Sequence, residues 1–124
     1  MTTKVLAIDD SRTIRNLLRM SLENAGFEFH TAVDGVDGVA RFAEVQPDVV
    51  ITDINMPNMD GYGVIETLRS GPRKTSVPIL VLTTESSDDL KTRARDAGAT
   101  GWIVKPFGDA SLVSVLRRLT GNAA

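Results

Sequence analysis

Four segments of the chain run from apolar residues straight into a group that can do chemistry. "KVLAIDD" ends in Asp9 and Asp10, "DVVITD" in Asp53, "PILVLTT" in Thr83 and Thr84, and "GWIVKP" in Lys105. Any one of these is a common polar end to a strand. Together they supply three carboxylates, a hydroxyl and an ammonium, which make a coherent chemistry only if they meet. Two carboxylates ~4 Å apart repel by roughly 4 kcal/mol at an effective dielectric of about 20, so a cluster of three requires a compensating cation.

Lys105 supplies one positive charge. The chain has no cysteine and a single histidine, His30, so any metal here must be held by oxygen. A hard divalent ion, Mg²⁺ keeping several waters, fits that donor set; Ca²⁺ fits less well, because the regular D-x-D-x-D-G spacing is missing. Mg²⁺ held by carboxylates beside a lysine and a hydroxyl is equipment for stabilising a phosphoryl group in transfer. Carboxylates are also an established class of nucleophile in such transfers. Asp53 is the candidate nucleophile, being alone at its strand end between the acidic pair and Lys105.

These groups need a scaffold that gathers strand ends. Apolar runs at Val5 to Ile8, Val49 to Ile51, Ile79 to Leu82 and Ile103 to Val104, with the alternating "FEFHTAV" at Phe27 to Val33, predict five short strands. Helical spacing falls between them. Ile14, Leu17, Leu18 and Leu22 predict a first helix with Ser11 as N-cap and Gly26 just past its end. Val36, Val39, Ala40 and Ala43 mark a second, and Val64, Ile65 and Leu68, stopped by Gly71 and Pro72, a third. A weakly apolar fourth runs from about Ser87 to Ala97, and Leu112, Val115, Leu116 and Leu119 mark the last. Strict βα alternation with short loops predicts an α/β fold: a five-stranded parallel sheet, doubly wound with helices on both faces. Function in such sheets collects outside the carboxyl ends of the strands.

At 124 residues the chain is expected to form one domain over 1–124, with no length left for a separate output module. With 42% hydrophobic and 24% charged residues, its composition is that of an ordinary globular protein. The N-terminus lacks the pattern of a signal or transit peptide and no apolar run approaches a membrane span, so the expected location is cytoplasmic, away from the membrane. A net charge of −2 argues against a nucleic-acid partner, although Arg12, Arg15 and Arg19 form a local basic stripe on the first helix.

The segments "IDDSR", "TDINMPNMDG", "VLTT" and "WIVKPF" together resemble the response-regulator receiver domain, and the resemblance covers essentially the whole chain. Thirty residues from Asp53 to Thr83 and twenty-two from Thr83 to Lys105 fit the family's spacing. The resemblance implies the flavodoxin-like strand order 2-1-3-4-5. It implies Asp53 as phosphoacceptor, Asp10 binding Mg²⁺ directly, Asp9 binding it mainly through water, and Asn55 offering a backbone carbonyl. Lys105 would pair with the phosphoryl group, Thr83 would hydrogen-bond to it in the active state, and Pro106 would follow a cis bond. Such a domain catalyses only its own phosphorylation and dephosphorylation, so no enzyme activity on other substrates is expected.

Trp102 stands where the family usually has a Tyr or Phe that swings inward when the threonine moves. Strand alternation puts Trp102 and Lys105 on opposite faces, so Trp102 is a candidate switch residue facing helix four, strand five and helix five; plain core packing is the competing reading. Asn55 and Glu85, two residues after Asp53 and Thr83, occupy positions that tune acyl-phosphate lifetime, and the pair resembles the chemotaxis regulator that controls flagellar rotation. Glu85 also reads as a charged residue opening a helix. Thr84, where the family often has Ala or Gly, would narrow access to the site.

The partners implied are a CheA-like histidine kinase, a flagellar motor switch protein or other downstream target, and a phosphatase, with the chain itself a monomer. A phosphate sink and a phosphorelay intermediate are the alternatives within the family. A haloacid-dehalogenase-like phosphohydrolase also uses a strand-end Asp with Mg²⁺, but wants a second Asp where this chain has Asn55. A flavin or nucleotide binder wants a phosphate loop where this chain has Asp9 and Asp10.

Overall fold

A computed structural model describes residues 2–71 and 74–121; Pro72, expected to help end the third helix, lies outside the described residues. Five strands and five helices alternate: β1 (Lys4–Ile8), α1 (Arg12–Asn24), β2 (Glu28–Ala32), α2 (Gly35–Val45), β3 (Val49–Thr52), α3 (Gly61–Ser70), β4 (Ile79–Thr83), α4 (Asp88–Ala97), β5 (Gly101–Val104) and α5 (Asp109–Leu119). All pairings are parallel and the order is β2-β1-β3-β4-β5, as the family resemblance implied.

The central strands are buried on both faces, which explains their unbroken apolar runs. Val5, Ala7, Val49, Ile51, Leu80 and Leu82 point to the side covered by Leu18 and Leu22 of α1 and Leu112 and Leu116 of α5. Leu6, Ile8, Val50, Ile79 and Val81 point the other way, onto Val64, Ile65 and Leu68 of α3 and Ala94 of α4. The two-residue period thus builds two separate apolar layers around one sheet.

Both α1 and α2 keep their predicted places; α1 turns in its predicted stripe except for Leu17, and α2 turns in a different face. In α1, Leu17 is 47% exposed, and the stripe against the sheet runs through Ile14, Leu18, Ser21 and Leu22. In α2, the residues expected to pack, Val36, Ala40 and Ala43, are exposed, and Val39 is only partly covered. The inward face is Gly35, Gly38 and Val45, with Phe42 packed against the core. The cause is close approach: a Cβ at Gly38 would overlap the tip of Ile8, and one at Gly35 would overlap the Met59 backbone. Hydrophobic pattern assigns glycine no weight, so it selects the wrong stripe of a helix whose contact surface is glycine.

Ser11 caps α1 as expected, and two aspartates cap α2 and α3. The Ser11 side chain accepts from the Ile14 N–H, Asp34 from the Asp37 N–H and Asp60 from the Gly63 N–H. Gly61, the first residue of α3, sits against the chain that carries Asp53. A Cβ there would overlap the Asp53 carbonyl oxygen and lie 2.9 Å from Ile54 Cα. Gly61→Ala is therefore expected to lower stability by about 2 kcal/mol, although helix propensity alone would raise it by about 1. The midpoint of urea unfolding measures the sign directly.

Candidate functional site

The carboxyl ends of β1, β3 and β4 and the residue after β5 meet at one edge of the sheet. Asp9 follows β1 and is 2% exposed; Asp53 follows β3 and is 8% exposed; Thr83 ends β4 and is fully buried. Backbone bonds fix the two acids as continuations of the ladder: the Asp9 N–H donates to the Ala32 carbonyl and the Asp53 N–H to the Ile8 carbonyl. Asp10, next along the chain, is exposed. One oxygen from each of Asp9, Asp10 and Asp53 lies within 4.8 Å of the others.

Lys105 reaches into this cluster. Its Nζ donates to Asp9 Oδ2 at 2.9 Å and to Asp53 Oδ2 at 3.0 Å, with all three side chains largely buried. The remaining oxygens are held by backbone: Asp9 Oδ1 accepts from the Ser11 N–H at 2.8 Å and Asp53 Oδ1 from the Ile54 N–H at 2.6 Å. The carboxylates are thus oriented by fixed donors before any ligand arrives. Burial pushes the Asp9 carboxyl above its ordinary value, against the pull of the Ser11 N–H and Lys105. Burial works the other way on Lys105, but its bonds to Asp9 and Asp53 outweigh it and hold the ammonium above its ordinary value. The Lys105 N–H also donates to the Thr83 carbonyl at 2.7 Å, which ties the lysine to the threonine's strand end. The Lys105–Pro106 peptide bond is cis.

Asn55 and Glu85, paired in the sequence by their positions, touch: Asn55 Nδ2 donates to Glu85 Oε1 at 3.1 Å. Glu85 is not in the first turn of α4, where Asp88 and Asp89 stand. It bridges the loops after β3 and β4. Its N–H donates to Thr83 Oγ1 at 3.4 Å, and its carbonyl accepts from the Trp102 indole N–H at 3.0 Å. Trp102 is half-buried on the α4 side of the sheet, in a groove of about 330 Å³ shared with Asp88, Lys91, Arg95 and Ala99. Residues of α5 do not line that groove, so its wall is narrower than the surface expected from strand alternation. Thr84 is exposed at the mouth of the β4–α4 loop.

Two supporting contacts escape a reading by residue type. Arg15 folds back to donate to the Asp9 carbonyl at 2.7 Å, and Arg19 lies over the Phe29 ring at 5.2 Å. Two of the three arginines in the basic stripe are therefore engaged within the fold. The signal for Arg15 was available in principle, since it follows the Ser11 cap by one turn and so hangs beside the end of β1. A groove of about 540 Å³ between α1 and α5 holds none of the strand-end residues.

Three converging carboxylates with an all-oxygen donor set fit a hard divalent ion such as Mg²⁺. Among the described residues no helix is long and apolar enough to cross a membrane.

The chain is 41% identical to the chemotaxis protein CheY4 of Vibrio cholerae, with a TM-score of 0.90, covering 96% of this chain and 99% of that one. It is 32% identical to protein PilG of Pseudomonas aeruginosa over 92% of its own length and 84% of PilG. It is 34% identical to the DNA-binding dual master transcriptional regulator RpaA of Synechocystis over 94% of its own length and 48% of RpaA. The chain spans about half the length of the first curated relatives it matches. The family model described as the response regulator receiver domain matches residues 5–117, so the chain belongs to the receiver-domain family of two-component response regulators.

Proposed function

We propose that the chain is a phosphorylatable switch: it takes a phosphoryl group from a histidine kinase onto Asp53, in a pocket that binds Mg²⁺ through Asp9, Asp10, Asp53 and the Asn55 carbonyl. The observation that carries this reading is the Lys105 ammonium, 2.9 and 3.0 Å from the carboxylates of Asp9 and Asp53. In the transfer, the N–P bond of a phosphohistidine breaks as an O–P bond forms to Asp53, and the imidazole keeps the electron pair. Mg²⁺ in the pocket would offset the charge gathered on the phosphoryl oxygens. Asp53 enters already aligned by the Ile54 N–H, and Lys105 is placed to pair with a phosphoryl oxygen. The Thr83 hydroxyl then donates to the same group, giving up its contact with the Glu85 N–H. The chain acts on no substrate but itself. Incubation with a phosphorylated histidine kinase and Mg²⁺ tests the reading: the label moves to the chain, and chelation of Mg²⁺ stops it.

Thr83, Glu85 and Trp102 form a relay from pocket to surface. Release of the Glu85 N–H by Thr83 loosens the carbonyl that holds the indole, so adding Mg²⁺ and beryllofluoride is expected to change the emission of Trp102, the chain's one tryptophan. An unchanged spectrum removes Trp102 from the switch.

The output we favour is chemotaxis, through binding of a flagellar motor protein at the α4, β5, α5 surface. The likeness to CheY4 over nearly all of that chain and the bonded Asn55–Glu85 pair support it. A role in transcription control is supported by the longer relatives named as transcriptional regulators. Affinity capture on the phosphorylated chain separates these outputs from a phosphate sink, which would retain the kinase alone.

A further inference from the structure

The loop from Ile54 to Asp60 carries Asn55 and joins β3 to α3. At its base it is closed by the Gly61 N–H, which donates to the Ile54 carbonyl at 2.9 Å. Its far side is tied to another element. Asn58, in the left-handed region at φ 69°, donates from Nδ2 to Asp34 Oδ2 at 2.7 Å. The other Asp34 oxygen accepts from the Asp37 N–H at 2.8 Å and caps α2. These two bonds, the Asp37 N–H first and the Asn58 amide second, hold the Asp34 carboxyl below its ordinary value. Met59, next in the loop, fits where Gly35 and Gly63 leave room for it: a Cβ at Gly63 would lie 2.7 Å from Met59 Cγ.

We propose that Asp34 and Asn58 are positioning residues: a latch that holds the β3–α3 loop, and with it the Asn55 carbonyl, in place for Mg²⁺ at the acid pocket. The proposal rests on the function given above. Neither residue is buried, so their bond contributes little to global stability. Asn58 stands in the left-handed region, which Asn tolerates better than most residues and which lets its amide reach Asp34. What the bond does is local. It restrains the far side of a loop that is closed at its base by the Gly61 N–H and tied at Asn55 to Glu85, three residues from Asn55 and five from Asp53. Partners that orient a metal's ligands without touching the metal set affinity by about ten- to a hundredfold when removed.

Two substitutions separate the latch from its surroundings. Asn58→Gly keeps the left-handed backbone and the α2 cap and deletes only the amide. Asn58→Asp keeps the shape and sets a carboxylate against Asp34; its extra negative charge by itself favours a cation, so weaker Mg²⁺ binding in it has to come from the broken latch. Asp34→Asn is the rescue: its oxygen still caps α2, and its amide donates to Asn58 Oδ1 once the Asn58 amide turns over.

Mg²⁺ affinity by calorimetry, amide hydrogen exchange over residues 54–59 and melting of the metal-free chain are the readouts. Both Asn58 variants are expected to bind Mg²⁺ about tenfold more weakly. They should exchange faster over 54–59 and melt within about 2 °C of the wild type. Asp34→Asn is expected to lie closer to wild type than either. Unchanged Mg²⁺ affinity in both Asn58 variants overturns the latch, as does a loss that Asp34→Asn shares in full or that tracks a large fall in metal-free melting. Wild-type protein that binds no Mg²⁺ overturns the pocket reading itself, and the latch with it.

Discussion

Asp53→Asn is expected to abolish transfer of labelled phosphoryl from a phosphorylated histidine kinase. The fall should be on the order of 10³-fold or more, which is about 4 kcal/mol of transition-state stabilisation. The substitution keeps the volume of a side chain that is 8% exposed, but an amide is no nucleophile. It also misplaces a donor. Both Asp53 oxygens now accept, from the Ile54 N–H and the Lys105 ammonium, and an amide must turn its NH₂ toward one of these two donors. The fold should survive, because losing one carboxylate relieves repulsion with Asp9. Metal-free melting is therefore expected to stay level or rise while labelling disappears. Label that persists on the variant moves the acceptor to another residue and overturns the assignment of Asp53.

Lys105→Met probes the same charge balance from the other side. Its side chain is 11% exposed, against 3% for Asp9 and 11% for Asp53. Removing the cation leaves two buried carboxylates facing each other, which is expected to destabilise the metal-free chain by about 3 kcal/mol. That corresponds to a fall in melting temperature of about 10 °C or more. Saturating Mg²⁺ should restore most of the loss, because an ion bound only to the folded state replaces the missing charge. The pH dependence has a definite sign. Burial already raises the Asp9 carboxyl, and without Lys105 it rises further, so the folded state holds a proton more tightly than the unfolded state. Stability is then lost as pH rises through the raised value, and the variant's deficit shrinks as pH falls toward the ordinary carboxylate range. A variant that melts like wild type without Mg²⁺ shows that the ammonium does not carry the balance.

Much of this site was legible because strand ends can be read from a one-dimensional pattern. Once "VVIT" is a buried parallel strand, Asp53 has to stand at its carboxyl end, and the same holds for Asp9, Thr83 and Lys105. Strand order came from family resemblance alone, since alternation of elements does not fix which strands are neighbours. The inward face of α2 was misread because its contact surface is Gly35 and Gly38. The Asn55–Glu85 bond and the Asp34–Asn58 bond were invisible for a different reason. Each joins loops that lie 30 and 24 residues apart in sequence, and side chains that meet only through tertiary placement leave no periodic trace. The Trp102 bond to the Glu85 carbonyl belongs to the same class: the sequence could place the indole on a face but not name its acceptor.

Lys105 bonds through its backbone to the end of β4 and through its ammonium to the ends of β1 and β3. The pocket is therefore a readout of strand register. One residue inserted into β3 and kept in its ladder would turn Asp53 from the lysine toward the opposite layer. Length can vary with less effect on the pocket at the other edge of the sheet, where helices hand over to strands and where a Cβ at Gly26, between α1 and β2, would meet nothing within 4 Å. The Gly26 turn is one place where a tag, a fused domain or new chain termini could be carried without disturbing the chemistry.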